Sequence, residues 1–181
     1  MQTLRKKIRF TYTDYLQMPS ERRYELVDGD FHMVAAPLTY HQKVLRKLYE
    51  LLAPTARNNE GELFFAPVDV VFSEEDVVQP DLIFISKARL GIITEKNVSG
   101  APELVVEILS PSTRDWDRSI KKRLYEKFGV QEYWIVDPEG QSLEILSLTE
   151  EGFQTFRCFQ KNARATSPYF KELSFSVEQL F

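Results

Sequence analysis

One stretch of the chain is apolar almost without interruption, and it limits the possible fold more than any other feature. Residues 103–109 read Glu-Leu-Val-Val-Glu-Ile-Leu, and the run is bounded by Pro102 and Pro111. Its length suits a strand, and a strand that is apolar on both faces is typical of the centre of a sheet that is covered on both sides. We therefore expect a central strand here, with one carboxylate, Glu107, inside it.

Apolar periodicity predicts a helix before this strand and another after it. Over residues 41–57 the apolar side chains recur at helical spacing and would form one buried stripe. These residues are Val44, Leu45, Leu48, Leu51 and Leu52. After the central strand, Asp115 or Asp117 offers an N-cap for a second helix that ends at Phe128. With a strand over 130–136, this section is expected to form a right-handed β-α-β crossover.

Runs of aromatic and β-branched residues predict the remaining strands. They cover residues 63–72, 82–85, 142–148 and 153–159. The acidic residues 73–76 are expected to form a turn, and Asp28-Gly29 the turn of an N-terminal hairpin over 24–34, because glycine accepts the positive φ of such turns. This order of elements predicts one domain over residues 1–181, of the α/β (α+β) class, with a mixed sheet flanked by helices.

Two carboxylates occupy unusual positions for purely structural residues. Asp81 follows Pro80 at the start of an apolar strand, and Glu107 lies inside the central strand. Burial of an unpaired carboxylate is unfavourable, so each needs a cation or hydrogen-bond donors nearby. If the two strands are neighbours, the residues can converge where the strands run antiparallel or splay apart. A metal ion would satisfy both carboxylates, and an ion pair with Arg or Lys is the alternative for Glu107.

Lys121 is the third candidate. On a helical wheel it falls on the same arc as Leu124, Tyr125 and Phe128, which would face the sheet, whereas Lys122 falls on the solvent side. An ammonium group there could orient a water molecule or offset the charge on a pentavalent phosphate. A structural salt bridge is the alternative for Lys121.

Several motifs occur together and span nearly the whole chain. They are YELVDGD over residues 24–30, Pro80-Asp81, ELVVEILSPST over 103–113, the four-residue spacing of Asp117, Lys121 and Tyr125, and GVQEYWIVDP over 129–138. Together with the helix at His41, they resemble the Uma2 family (DUF820). That family is a branch of the PD-(D/E)xK superfamily, so the resemblance implies a restriction endonuclease-like fold and nuclease activity.

The resemblance also implies a site. It assigns Asp81 and Glu107 as metal ligands and, with Lys121, as catalytic residues. The superfamily lysine usually stands two residues after the glutamate, where this chain has Leu109. Family members of this type look as if the lysine has moved to the following helix. Glu25 matches a further acidic position of the family, which could contact the metal directly or through water.

The residues around this set also have structural roles as alternatives to a catalytic one. Glu25 could be the ion-pair partner of Arg22 or Arg23 in the hairpin. We expect His41 to be a surface residue at a helix start, Asp69 is a candidate to support the site from behind, and Asp117 is expected to cap a helix rather than to bind metal. Three aromatic residues are expected in the core: Tyr125, Tyr133 and Trp134.

The residue types favour a hard metal ion. Carboxylates suit Mg²⁺, with Mn²⁺ as a possible substitute, and a backbone carbonyl such as that of Ile108 would add an oxygen. One cysteine and two histidines are too few for a thiolate site or a histidine-rich site. The expected activity is a Mg²⁺-dependent endonuclease that hydrolyses DNA phosphodiesters, although the residues do not separate DNA from RNA.

Charge and hydropathy limit the partners. The net charge of −4 argues mildly against a dedicated nucleic-acid coat, but basic residues cluster over 114–128 and within the first nine residues. One alternative is therefore a nuclease-fold binding protein that cuts weakly or not at all, and another is an oligomeric scaffold built on exposed strand edges.

No apolar run approaches the ~20 residues of a membrane span, so we expect a cytoplasmic protein without membrane contact. A two-fold homodimer would present two sites to the two strands of a duplex.

Overall fold

The computed structural model describes residues 8–181, and residues 1–7, which hold part of the basic N-terminal cluster, lie outside the described range. The strands are β1 Arg23–Val27, β2 Asp30–Val34, β3 Glu62–Phe65, β4 Val70–Ser73, β5 Asp76–Val78, β6 Leu82–Ile85, β7 Val98–Ser99, β8 Leu104–Ile108, β9 Glu132–Asp137, β10 Ser142–Thr149, β11 Gly152–Gln160, β12 Arg164–Thr166 and β13 Ser174–Ser176. The α-helices are α1 Tyr12–Tyr15, α2 Thr39–Asn58, α3 Arg114–Trp116 and α4 Lys122–Lys127. A π-helical turn, Asp117–Lys121, joins α3 to α4, and 3₁₀ turns cover Lys87–Ile92 and Val177–Leu180.

The predicted central strand is β8, and the prediction is confirmed. It lies in a six-stranded mixed sheet of order β11-β10-β9-β8-β6-β3, parallel to β9 and antiparallel to β6. All five of its residues are buried. Leu104, Val106 and Ile108 face the cluster that contains the apolar stripe of α2, whereas Val105 and Leu109 face the opposite cluster. Because side chains alternate along a strand, Glu107 projects toward that second side.

The N-terminal hairpin also forms as predicted, and it belongs to a second sheet. This five-stranded sheet has the order β2-β1-β5-β4-β7. Asp28 and Gly29 have φ values of 51° and 73°, as the two central residues of a type I′ turn require. The hairpin register pairs Glu25 with His32. The strands therefore form two main sheets, where the sequence predicted one mixed sheet.

The single strand predicted over 63–72 is wrong. Its two halves are β3, which pairs with β6, and β4, which pairs with β5 and β7 in the other sheet. Pro67 stands between them and has no N–H to donate to a ladder, so the chain leaves one sheet and enters the next at this point. The predicted turn over 73–76 is shorter than expected, because Asp76 already begins the additional strand β5.

The crossover between β8 and β9 contains the predicted helix, although its start was predicted wrongly. The helix begins at Arg114, with Thr113 in the N-cap position, so it starts before either of the predicted aspartates. Asp117 lies inside the helix at the start of the π-helical turn and is buried. It is therefore no N-cap. Among residues 8–181, no helix is long and apolar enough to cross a membrane.

Candidate active site

Asp81 and Glu107 face each other because β6 and β8 are antiparallel. The register pairs Leu82 with Val106, and one further step along both strands places Asp81 opposite Glu107. The Oδ2 atom of Asp81 accepts hydrogen bonds from the backbone N–H of Ile108 at 2.7 Å and from Nε2 of His41 at 3.1 Å. These two donors fix the carboxylate at the end of the central strand.

Glu107 is held from the opposite side by the helix that follows its strand. It is 3% exposed, and its Oε1 accepts hydrogen bonds from Nζ of Lys121 at 3.0 Å and from the hydroxyl of Tyr125 at 2.5 Å. Tyr125 is buried, as predicted, and its ring packs 5.0 Å from that of Tyr133. The core prediction missed the hydroxyl group, which reaches the site. Both donors occupy one oxygen, so Oε2 keeps its capacity to bind a cation.

Lys121 lies among three carboxylates. Its Nζ is 2.9 Å from Glu25, 3.0 Å from Glu107 and 3.7 Å from Asp117, and the residue is 6% exposed. The expected position on the inner arc of the helix is thus what the structure shows. The π-helical turn adds a residue at this point, and such turns occur frequently at functional sites.

Glu25 arrives at the site from the other sheet. It is 3% exposed, and its partner is Lys121, so the alternative ion pair with Arg22 or Arg23 is wrong. Glu25 lies on the face of β1 that packs toward the helix after β8, and this packing brings its carboxylate to Lys121. The ion cluster of Lys121, Glu25, Glu107 and Asp117 therefore joins the two sheets.

A chain of hydrogen bonds supports Glu25 from behind. The backbone N–H of Gln79 donates to Oε1 of Glu25 at 3.0 Å, and the side-chain amide of Gln79 donates to Asp69 at 2.8 Å. The hydroxyl of Tyr15 also donates to Asp69, at 2.7 Å. Asp69 is thus linked to Glu25 through Gln79, whereas Glu25 contacts Lys121 directly. Its supporting role stays a prediction.

The titration behaviour of the ion cluster reflects crowded negative charge in a buried place. Burial raises the pKa of Asp117 to about 6, against the lowering effects of Lys121 and of the Thr113 hydroxyl. Burial also raises the pKa of Glu107, and the neighbouring carboxylates add to this effect. Burial lowers the pKa of Lys121, but three carboxylates outweigh it and hold the pKa well above its ordinary value. The lysine therefore stays an ammonium ion.

His41 was predicted as a surface residue, and that prediction is wrong. Only 12% of its side chain is exposed, and its Nε2 contacts Asp81. Burial lowers the pKa of His41, but the hydrogen bond and charge of Asp81 and the carbonyl of Ile108 together raise it. A signal was available in the sequence, because His41 precedes Val44 and Leu45 by three and four residues and so shares their buried stripe.

The facing carboxylates open into a cavity of about 300 Å³. Its charged walls are four carboxylates and two basic side chains, besides His41: Glu25, Asp81, Glu107, Asp117, Arg23 and Lys121. A divalent cation would neutralise the two surplus negative charges, so the donor set fits Mg²⁺ or Mn²⁺. Within the described residues, no group of three or more His, Cys, Asp or Glu side chains is arranged to hold a metal ion.

Comparison with solved structures shows the class of fold. A protein from Anabaena variabilis ATCC 29413, described as "a putative nuclease belonging to DUF820", superimposes with a TM-score of 0.79 at 20% sequence identity. The match covers 95% of this chain and 97% of that one. The fold class predicted from the sequence, a mixed sheet flanked by helices with an N-terminal hairpin, is thereby confirmed.

The family follows from the sequence itself. The sequence model of the Uma2 family, described as "Putative restriction endonuclease", matches residues 12–178. The chain belongs to this family. A curated relative, "Uncharacterized protein sll1609" from Synechocystis sp. (strain ATCC 27184 / PCC 6803 / Kazusa), is 24% identical over 131 residues, which make up 70% of this chain and 74% of the relative.

Proposed function

We propose that this chain is a divalent-cation-dependent endonuclease that hydrolyses DNA phosphodiesters in the cavity between Asp81 and Glu107. One observation carries the proposal. Two carboxylates from neighbouring antiparallel strands face each other in an open cavity, and a buried ammonium group holds one of them. Membership of a family described as restriction endonucleases supports the same chemistry.

Asp81 and Glu107 would hold the ion, most suitably Mg²⁺, with Mn²⁺ as a substitute. Each has one oxygen engaged by protein donors, Oδ2 in Asp81 and Oε1 in Glu107, and the second oxygen remains for the cation. When bound, the ion supplies Lewis-acid polarisation of a phosphoryl oxygen and acidifies a coordinated water.

The remaining residues orient the ligands and balance charge. Lys121 contacts Glu107 at 3.0 Å, and its ammonium group would offset the negative charge that a phosphorane gains. Glu25 and Asp117 hold Lys121 in turn. The lysine of the helix would thus take the place of the strand lysine that is absent at Leu109.

The test is plasmid cleavage by the purified protein in Mg²⁺, with EDTA as the metal-free arm. We expect nicking or linearisation that EDTA abolishes and that Asp81→Asn and Glu107→Gln reduce to background. Lys121→Met should lower the rate by about 100- to 1000-fold, the usual loss when one charge-stabilising donor is removed. Lys122→Met is the matched control, since its side chain lies outside the ion cluster.

Contrary results are equally clear. Cleavage that survives in Asp81→Asn at the wild-type rate would refute the assigned site. Tight DNA binding without cleavage in Mg²⁺, Mn²⁺ or Co²⁺ would establish the alternative of a nuclease-fold binding protein.

We also propose that two copies act together on duplex DNA, since one site cuts one strand. A sedimentation measurement of the mass in solution tests this part separately. A monomer that linearises plasmid in one binding event would contradict it.

A further inference from the structure

Arg23 lies at the cavity without a carboxylate partner. It is one of the two basic side chains on the charged walls, and the other, Lys121, has three carboxylate neighbours. No salt bridge or hydrogen bond of the Arg23 side chain is found within residues 8–181. Its Nε is buried and has no hydrogen-bond partner in that range. A buried donor without a partner is unfavourable, so the position calls for an explanation.

The hairpin strand explains how Arg23 reaches the cavity. Arg23 and Glu25 are two residues apart in β1, so their side chains project from the same face. Glu25 from this face pairs with Lys121. The guanidinium of Arg23 therefore projects toward the same side of the strand, where Arg23 lines the cavity.

Three of the four carboxylates in the cavity walls already accept hydrogen bonds from other groups of the protein, and Asp117 has Lys121 as its charged neighbour. Glu25 accepts from Lys121 and from the backbone of Gln79, and Asp81 accepts from His41 and the backbone of Ile108. Glu107 accepts from Lys121 and Tyr125. None of these carboxylates forms an ion pair with Arg23, so its guanidinium remains available to a ligand that enters the cavity.

We infer that Arg23 binds a phosphate group of the nucleic-acid strand that occupies the cavity. The chemistry fits, because a guanidinium presents a planar fork of N–H donors that matches two phosphate oxygens. The position fits as well, because a polyanion that enters a cavity lined by four carboxylates needs a cation among the lining residues. Arg23 would hold the strand while the facing carboxylates serve the cation. The inference rests on the proposed function and adds a substrate-binding residue to it.

The test measures binding, and cleavage does not enter it. A fluorescein-labelled DNA oligonucleotide is titrated with protein in Ca²⁺ buffer, at several salt concentrations, and followed by fluorescence anisotropy. For Arg23→Gln we expect about 10-fold weaker binding. The slope of log K against log salt should become shallower by about 0.9, which corresponds to one lost phosphate contact.

Two further variants separate this role from a structural one. Arg22→Gln removes the same charge from the adjacent, exposed residue, whose guanidinium contacts the sulfur of Met33 at 3.7 Å, and should bind like the wild type. Arg23→Lys keeps the charge but loses the fork, so its affinity should lie between those of the wild type and Arg23→Gln. All three variants should keep the thermal unfolding midpoint of the wild type.

The outcomes distinguish this inference from the proposed activity. Equal affinity and equal salt slope for wild type and Arg23→Gln would overturn the role of Arg23, even if plasmid cleavage succeeds. A wild type that binds no oligonucleotide would overturn it as well. A wild type that binds DNA through Arg23 but never cuts it would refute the nuclease proposal and leave the phosphate site standing.

Discussion

Replacing Lys121 by methionine removes one charge from the most enclosed cluster in the molecule. The side chain keeps nearly the same length, so the packing loss is small, but Glu25, Glu107 and Asp117 lose their common cation. Breaking a buried ion pair by removing one partner destabilises a protein by about 3–5 kcal/mol, because a charge is left buried without compensation. Lys122→Met should change the free energy of unfolding by less than about 0.5 kcal/mol, as is usual for sites without such contacts.

The assay is urea unfolding in EDTA, followed by tryptophan fluorescence, since Trp134 is fully buried. With a urea m-value of about 2 kcal/mol/M, the expected loss for Lys121→Met lowers the midpoint by roughly 2 M. Adding Glu107→Gln to this variant removes one of the stranded charges and should restore at least about 1 kcal/mol, within the usual range of couplings between contacting residues.

Two results would refute the reasoning. One is a stability of Lys121→Met equal to that of the Lys122→Met control, since the carboxylates would then have no need of the ammonium group. The other is a double variant whose loss equals the sum of the losses in Lys121→Met and Glu107→Gln, since the two residues would then be energetically independent.

Three further perturbations have defined outcomes. His41→Leu should weaken Mn²⁺ binding by about 10- to 100-fold in calorimetry, because a donor that hydrogen-bonds a metal ligand orients it. His41→Gln keeps a donor and should lose less. Equal binding by both variants and the wild type would contradict the contact with Asp81. Tyr125→Phe should lower the free energy of unfolding by about 1–3 kcal/mol in urea titrations, because Glu107 loses its hydroxyl donor; an unchanged midpoint would refute this. The hydrogen bond from Arg114 lowers the pKa of Asp137 below its ordinary value near 3.8. The ionised carboxylate therefore stabilises the wild type at pH 7, and Asp137→Asn should be less stable there. This difference should vanish as the pH falls below about 4. A difference between Asp137→Asn and wild type that grows on acidification would have the wrong sign.

The parts of the fold that follow local patterns could be predicted from the sequence. The central strand followed from an uninterrupted apolar run, the hairpin from Asp28-Gly29, and the inward position of Lys121 from its place on the helical arc. Each of these depends on residues within a few positions of one another. The family resemblance brought Asp81 and Glu107 together before any strand order was known.

The parts that depend on distant contacts could not be predicted from local patterns. Glu25 has two arginines beside it in the sequence, yet its partner is Lys121, because the packing of β1 against the helix decides which cation is near. Pro67 falls inside the strand predicted over residues 63–72, although it marks the change between two sheets. His41 is expected at the surface because it opens a helix, whereas its place on the apolar stripe of α2 decides its burial.

The ion cluster also has a consequence for how the chain assembles. Glu107 belongs to the six-stranded sheet and Glu25 to the hairpin sheet, and both bind the same ammonium group. A slip of one residue in β1 would turn Glu25 to the opposite face of its strand. The mispaired hairpin would then withdraw one of the three carboxylates that surround the buried cation. Lys121 therefore gains all three of its carboxylate neighbours only when both sheets are built in the correct register.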